Sequence, residues 1–214
     1  MTDRIGADRS GDGPGRVDLD KVDLVLASTS RYRRELLARL APRFRTLAPD
    51  ANETAEAGES AATLALRLAQ AKARAVATQC ANAIVIGSDQ AATLDGAILG
   101  KPGNIERAQA QLAAASGREV IFHTAVCLID SRLARPREFS AIDTTRVFFR
   151  RLEHDEIARY LERESPLDCA GSFKAEGLGI TLFDRIESQD PTALIGLPLI
   201  ALSRLLREAG INVV

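Results

Sequence analysis

Apolar and polar residues follow two different periods along the chain, and each period predicts a type of element. Short, continuous apolar runs are typical of strands covered on both faces, whereas apolar residues three or four positions apart are typical of amphipathic helices. The predicted strands cover residues 24–27, 83–88, 120–129, 139–149 and 179–183. The predicted helices cover residues 31–40, 60–78, 105–115, 155–163 and 199–207.

The order of these elements predicts an α/β fold. The first strand is followed by two helices and then by a second buried strand, which is the order of a crossover connection between parallel strands. The strands at 120–129 and 139–149 follow each other without an intervening helix. A short connection of this kind favours antiparallel pairing.

Residues 1–20 lack any hydrophobic period. Gly, Asp, Arg and Ser surround Pro14, and a segment of this composition cannot bury enough apolar surface to offset the entropy that it loses on ordering. We therefore predict a flexible tail over residues 1–20 and a single domain over residues 21–214.

The composition limits the kinds of partner. The 214 residues are 46% hydrophobic and 27% charged, which is the balance of a globular protein. A formal net charge of −1 provides no overall attraction to nucleic acid or to an anionic membrane. No apolar run approaches the about 20 residues that a membrane helix needs, and no N-terminal apolar h-region is present. We therefore predict a soluble, cytoplasmic protein with no nucleic-acid or membrane partner.

The cysteines and histidines do not predict a metal site of their own. Cys80, Cys127 and Cys169 are odd in number, far apart and outside any CxxC spacing, which argues against a disulfide framework and against zinc. Neither His123 nor His154 has a partner at metal-ligand spacing.

The junction between the first strand and the first helix has the residues of a phosphate site. Small Ser28 and Ser30 allow a phosphate to approach the backbone and offer hydroxyl donors. Arg33 and Arg34 can supply charge-assisted, fork-shaped hydrogen bonds. From these residues alone, an ordinary capped helix with exposed arginines is an equal alternative.

Four further charged residues are candidates for chemistry. Asp89 follows a buried strand, at the edge where open α/β sheets keep their ligand sites, although an aspartate there can also simply cap a turn. Lys72 interrupts an alanine-rich apolar stretch, and Lys101 occupies a rigid Gly-Lys-Pro turn. Both lysines could meet phosphates, and Lys72 could instead extend to solvent from a helix face. Glu53 lies in a predicted loop, and whether it takes part in chemistry depends on which residues lie near it.

Several short motifs occur in a fixed order along the chain, and together they resemble the landmarks of the Maf family. They are Ala27-Ser28-Thr29-Ser30, Arg33-Arg34-Glu35-Leu36-Leu37, Glu53-Thr54, Gly87-Ser88-Asp89-Gln90, Gly100-Lys101-Pro102 and Ser116-Gly117. Residues 167–174 and 196–199 resemble the YceF-like subfamily, which hydrolyses 7-methyl-GTP. The resemblance runs from about Asp23 to the end of the chain.

The resemblance implies a fold and an activity. The fold is the Maf/Ham1 (ITPase-like) fold, in which a bent mixed sheet divides two lobes and a nucleotide enters the central cleft. The activity is that of a nucleoside triphosphate pyrophosphatase, which releases a nucleoside monophosphate and pyrophosphate with the help of a divalent metal cation, Mg²⁺ or Mn²⁺. A homodimer is compatible with the resemblance, and the oligomeric state stays open.

The resemblance also implies roles for particular residues. Because a triphosphate is densely anionic, attack by water needs charge neutralised by cations and a carboxylate to orient or deprotonate the water. The expected catalytic residues are Asp89 as the general base, Lys72 and Lys101. The expected metal ligands are Glu53 and Asp89. The expected substrate-binding residues are Ser28, Ser30, Tyr32, Arg33, Arg34, Gln90 and Glu176.

The residues expected at the base fit a methylated guanine. Its ring carries positive charge, so Tyr32 can stack against it, and the Glu176 carboxylate can accept the N1–H and the N2 amino hydrogens. Gln90 matches a third position that the resemblance links to substrate choice. The sequence departs from the subfamily at Tyr32, where tryptophan is expected. A pyrophosphatase for dTTP and UTP or other modified nucleotides, and a nucleotide-binding regulator of septum formation, are the alternative functions.

Overall fold

The computed structural model describes residues 16–214, and residues 1–15 of the predicted tail lie outside this range. Strands β1 to β9 are Val17–Asp18, Asp23–Ala27, Arg45–Leu47, Ala83–Leu94, Ala97–Leu99, Glu119–Asp130, Arg137–Phe149, Phe183–Glu187 and Ile211–Asn212. Helices α1 to α5 are Arg31–Leu37, Ala61–Ala77, Ile105–Ala115, His154–Arg163 and Leu199–Glu208. None of the helices described is long and apolar enough to cross a membrane.

Most strands form one mixed sheet. Its order is β3-β2-β4-β6-β7-β8, and β5 pairs with β4 outside this path. Strands β3, β2 and β4 are parallel to one another, as expected for a crossover connection. Strands β4, β6, β7 and β8 pair antiparallel. Only residues 131–136 connect β6 to β7, and a connection this short favours antiparallel pairing. The predicted α/β class with a mixed sheet is confirmed.

Strand β4 changes neighbours in its middle, and this change positions Asp89. The parallel pairing with β2 ends where Ala27 lies opposite Gly87. Strand β4 then continues to Leu94 beside β6, and β5 pairs with its other edge only from Ala92 onward. The sequence places Asp89 after a strand that ends at Ser88, which is wrong, because the polar Asp89-Gln90 pair only interrupts the apolar run. Asp89 nevertheless lies just past the carboxyl end of the neighbouring parallel strand.

Three separate hydrophobic clusters surround β4. Ile84 and Ile86 face a cluster that includes α1 and α5, whereas Val85 faces a cluster built largely from α2. Ala92 and Leu94, at the other end of the strand, belong to a third cluster with α3 and α4. The polar stretch of β4 therefore lies between the cores of two lobes, where a cleft can form.

Helix α2 packs unusually closely on β4. Ser60 caps the helix as predicted, because its hydroxyl accepts from the Thr63 amide. At the contact, a Cβ added to Gly87 would lie 2.2 Å from the Ala69 carbonyl oxygen and 2.6 Å from the Ala73 amide nitrogen. Only glycine lets the two backbones approach to this distance.

Local departures from the predicted elements have local causes. Helix α1 ends at Leu37, earlier than the predicted residue 40, and the chain leaves it through a turn in which the Leu40 amide donates to the Leu37 carbonyl. The strand predicted at 179–183 is a 3-10 turn, Leu178–Leu182, and β8 begins after it. Gly179 folds back against Lys174, whose carbonyl oxygen would lie 2.4 Å from an added Cβ.

Ordered structure begins before the predicted end of the tail. Val17 and Asp18 form a parallel bridge with Ile211 and Asn212. Leu19 is buried in the first hydrophobic cluster. The predicted boundary at residue 20 is therefore too late, because a pairing with the far end of the chain leaves no periodic signal in so short a segment.

We expect Gly87→Val to destabilise the protein, because the added side chain would press on helix backbone that cannot rotate away. Overpacking of a core typically costs about 1–3 kcal/mol, so the free energy of unfolding, measured by denaturant titration, should fall by that amount. Gly100→Ala is the control, since its added Cβ meets nothing within 4 Å. Equal stability of both variants would contradict the close packing.

Candidate active site

A cavity of about 540 Å³ opens at the middle of β4, between the two lobes. Every site residue expected from the sequence except Arg34 lines it. These residues are Ser28, Ser30, Tyr32, Arg33, Glu53, Lys72, Asp89, Gln90, Lys101 and Glu176. They come from distant parts of the chain, and the fold brings them to one place.

A buried lysine joins two carboxylates at the floor of this cavity. The Lys72 ammonium nitrogen lies 2.5 Å from Asp89 Oδ1 and 2.8 Å from Glu53 Oε1. The Lys72 side chain is only 6% exposed. An ammonium with so little access to water needs opposite charges in contact. We call Glu53, Lys72 and Asp89 the charged triad.

Helix geometry places Lys72 in the triad. Residues four apart on a helix share a face, and Lys72 lies between Leu68 and Val76 on the buried face of α2. It does not extend to solvent, which was the alternative interpretation. The close approach at Gly87 brings this face against β4, so that the ammonium reaches Asp89.

A loop between β3 and α2 supplies Glu53. The Thr54 amide donates to Asn52 Oδ1 at 3.0 Å, and the Arg67 guanidinium of α2 donates to the Thr54 carbonyl at 3.0 Å. Partial burial is the largest influence on the Glu53 pKa and raises it, but the hydrogen bond to Lys72 and the nearby positive charges together bring this pKa below its usual value. Glu53 is therefore an ionised carboxylate at neutral pH.

Arg33 is a second cation close to Asp89. Its Nη2 is 3.9 Å from Asp89 Oδ1, and its Nε donates to the Gly196 carbonyl at 2.9 Å. Burial lowers the pKa of Arg33, against the opposing charges of Asp89 and Glu53, but an arginine in a protein stays charged. Arg33 thus presents a fixed positive charge to the cavity.

Both serines line the cavity, and Ser30 is also the N-cap of helix α1. Ser30 Oγ accepts from the Arg33 amide at 3.4 Å, and Ser28 Oγ accepts from the Ser30 amide at 3.1 Å. A hydroxyl that accepts can still donate its own hydrogen. The capped-helix interpretation and the phosphate-site interpretation are therefore compatible.

Arg34 and Lys101 differ in position. Arg34 is exposed on α1 and does not line the cavity, because successive residues of a helix point roughly 100° apart and Arg33 takes the inward direction. Lys101 is exposed but lines the cavity, and its charge contributes to the low pKa of Glu53. The structure thus brings Lys101, and not Arg34, to the other charged residues.

The far end of the cavity is aromatic and acidic. The Tyr32 hydroxyl accepts from Arg31 Nη2 at 2.9 Å, and the Arg31 guanidinium carbon lies 4.7 Å from the centre of the Tyr32 ring. Burial raises the pKa of Tyr32 to about 12, so its hydroxyl stays protonated at neutral pH. Glu176 is exposed at the rim. This end can hold a flat, cationic group.

The loop that carries Glu176 is anchored on the second lobe. The Lys174 amide donates to the Tyr160 hydroxyl at 3.1 Å. Phe173 packs edge-on against Phe122 with their ring centres 5.3 Å apart, and both rings line the cavity. The packed residues beneath the loop thus hold the exposed Glu176 carboxylate in place.

Several cavity-lining residues carry no signal in the sequence. Phe122 and Leu194 look like ordinary core residues, yet both line the cavity. Asp168, Cys169 and Phe173 also line it; they lie in the subfamily motif at 167–174, but nothing in that motif assigned them a role. Their position depends on packing between distant segments. A Gly-Leu-Pro motif at 196–198 was the one available signal for the loop that accepts from Arg33.

The oxygen atoms of the triad fit one kind of metal site. Mg²⁺ is usually bound through one or two carboxylates together with waters and substrate phosphates. Glu53 and Asp89 are two carboxylates that lie close together, because both contact the Lys72 ammonium. Between residues 16 and 214, no group of three or more His, Cys, Asp or Glu could hold a metal. The residues therefore fit a metal shared with a bound phosphate.

Comparisons with known proteins agree with the family that the motifs resemble. The family described as Maf-like protein matches residues 23–209. A 7-methyl-GTP pyrophosphatase of Xanthomonas oryzae pv. oryzae (strain MAFF 311018) is 60% identical over 189 residues, covering 88% of this chain and 97% of that protein. A 7-methyl-GTP pyrophosphatase of Xanthomonas axonopodis pv. citri (strain 306) is 57% identical over 190 residues, covering 89% and 98%.

Among solved structures, the Staphylococcus aureus Ham1 protein is 15% identical with a TM-score of 0.36, over 58% of this chain and 71% of that chain. The family match covers far more than half of the sequence, and it includes every element that lines the cavity. The chain belongs to the Maf family.

Proposed function

We propose that this protein is a nucleoside triphosphate pyrophosphatase that hydrolyses 7-methyl-GTP to 7-methyl-GMP and pyrophosphate. The charged triad is the observation that carries the proposal, because it holds two acids and a cation against one cavity. The names of the similar proteins support the substrate. A substrate of this kind places the activity among the free nucleotides of the cytoplasm.

The charges in the cavity suit a triphosphate. Lys72, Arg33 and Lys101 contribute positive charge, and Asp89 and Glu53 contribute negative charge. Positive charge is therefore in excess around the triad. In a cleft with low-dielectric walls, such fixed charges attract an anion strongly and need no rearrangement during the reaction.

Asp89 is the residue placed to activate water. Its carboxylate oxygen lies at the cavity floor and is held by Lys72 at 2.5 Å. Asp89 takes a proton from a water molecule, the water oxygen forms a new bond to phosphorus, and the bridging oxygen leaves with its bonding electrons. Asp89 and Glu53 can exchange the roles of base and metal ligand without changing which residues matter.

The cations act on the departing group. Negative charge grows on the pyrophosphate as the bridging bond breaks, and Lys72, Arg33 and Lys101 can stabilise it by position and charge. A divalent cation held by Glu53 and Asp89 would supply further charge neutralisation at the phosphate oxygens. No covalent intermediate with the enzyme is required.

The aromatic and acidic end suits the base. A guanine methylated at N7 is cationic. The Tyr32 ring can contact a cation, because the Arg31 guanidinium carbon lies 4.7 Å from the centre of this ring. Glu176 can accept from both donors of the guanine pairing edge. A uracil or thymine ring offers carbonyl oxygens to a carboxylate that cannot donate, which disfavours the pyrimidine alternative.

We expect Asp89→Asn to abolish turnover, because an amide cannot take a proton from water. General-base removal typically costs about 10²–10⁴-fold in rate, to be measured as pyrophosphate release with Mg²⁺ or Mn²⁺. Asp155→Asn is the control, since that side chain is 86% exposed on α4. Tight nucleotide binding without turnover by the unaltered protein would favour a regulator over an enzyme.

We expect Glu176→Gln to reduce the preference for methylated guanine, because the amide group replaces one acceptor by a donor. Hydrogen bonds to charged groups contribute about 1.5–3 kcal/mol, so kcat/KM for 7-methyl-GTP should fall roughly 10-fold to 150-fold while that for dTTP changes little. Glu162→Gln, an exposed change on α4, is the control. An unchanged ranking of substrates would remove Glu176 from the base site.

We expect a chelator to stop pyrophosphate release and added Mg²⁺ or Mn²⁺ to restore it. Glu53→Gln should raise the metal concentration that gives half-maximal rate, because one of two converging carboxylates is lost. Glu56→Gln is the matched control, since Glu56 lies in the same loop with a side chain that is 72% exposed and does not line the cavity. Full activity in the chelator would refute the metal requirement.

A further inference from the structure

The loop at residues 193–196 forms one wall of the cavity, and strand β4 holds it by hydrogen bonds to its carbonyl groups. Gln90 Nε2 lies 3.0 Å from the Ala193 carbonyl and 3.1 Å from the Leu194 carbonyl. Thr124 of β6 also donates to the Ala193 carbonyl, at 2.9 Å. These hydrogen bonds therefore fix the position of the loop relative to the strand that carries Asp89.

The last carbonyl of this loop holds Arg33. The Gly196 carbonyl accepts from Arg33 Nε at 2.9 Å and from Ser88 Oγ at 3.0 Å. Because Nε is fixed, the rest of the guanidinium points to the cavity, with Nη2 3.9 Å from Asp89. The position of the loop thus sets the position of a phosphate-binding charge.

The ends of the loop are held independently of Gln90. The buried Asp190 carboxylate accepts from the Thr192 amide at 3.0 Å and from the Ile200 amide, in the first turn of α5, at 2.6 Å. Loss of the Gln90 contacts should therefore move the middle of the loop and leave α5 in place.

The amide nitrogen of Gln90 has no hydrogen left for a ligand. An amide has two N–H donors, and three acceptors lie within 3.1 Å of this nitrogen: Thr124 Oγ1 and the two loop carbonyls. A role in which this group donates to a base would require these bonds to break. The sequence alone suggested such a substrate-binding role.

We propose that Gln90 is a positioning residue, which acts through the 193–196 loop on Arg33 and so contributes to the affinity for phosphates. The inference rests on the proposed function for the class of substrate. It predicts that Gln90 affects a ligand that has no base at all.

The test uses inorganic triphosphate as a ligand without a base, with binding measured by calorimetry. Gln90→Ala should weaken binding about tenfold, and it should have little further effect in an Arg33→Ala background, because residues that act through one another are not additive. Gln79→Ala is the matched control, since the Gln79 amide also donates to a backbone carbonyl but lies outside the cavity. Gln90→Met, which keeps the length but not the donors, serves if the alanine variant does not fold.

Three outcomes would overturn the inference. The first is unchanged triphosphate binding with an altered ranking of bases, which would make Gln90 a base-reading residue. The second is full additivity with Arg33→Ala, and the third is no binding of triphosphate by the unaltered protein. Because binding is measured without turnover, a protein that binds triphosphate and shows the coupling, but cleaves no nucleotide, would refute the proposed function alone.

Discussion

The contact of a buried ammonium with two carboxylates is the interaction on which the rest of the structure depends. Lys72 cannot stay charged on the inner face of α2 unless acids meet it there, so the helix, the Glu53 loop and strand β4 have to come together. Gly87 makes this contact possible because any side chain would hold the helix away. The close packing of α2 on β4 at Gly87 is therefore also what fixes the geometry of the active site.

The sequence could reveal part of the triad because two of its three members break local rules, whereas Glu53 is an acid in a loop and breaks none. Lys72 interrupts an apolar stripe, and Asp89 interrupts an apolar run, so each is unexplained unless it meets a partner. Ordinary core residues such as Phe122 and Leu194 break no rule, and their part in the cavity follows only from three-dimensional packing. The family resemblance supplied the order of the motifs, but it could not show which of two adjacent arginines faces inward.

The element boundaries were hardest to predict where the backbone partner is distant in sequence. The pairing of Val17 with Ile211 and the continuation of β4 past Asp89 both depend on neighbours far along the chain. Long elements with a clear period, such as α2 and β6, were predicted within a residue or two. Local pattern therefore specifies the long elements, whereas long-range pairing decides where they stop and forms the short strands β1, β3, β5 and β9, which the pattern did not predict.

The charges that line the cavity explain how a near-neutral protein can bind a densely charged ligand. Lys72, Arg33 and Lys101 provide positive charge beside Asp89 and Glu53, whereas Asp168 and Glu176 add acidic groups to a lining that also contains Arg31. The substrate proposed above has the opposite arrangement, with an anionic triphosphate and a cationic base. A ligand with opposite charges at its two ends is attracted in one orientation and repelled in the other. Local charges in the cavity, and not the net charge of −1, are therefore what the proposed recognition of this ligand depends on.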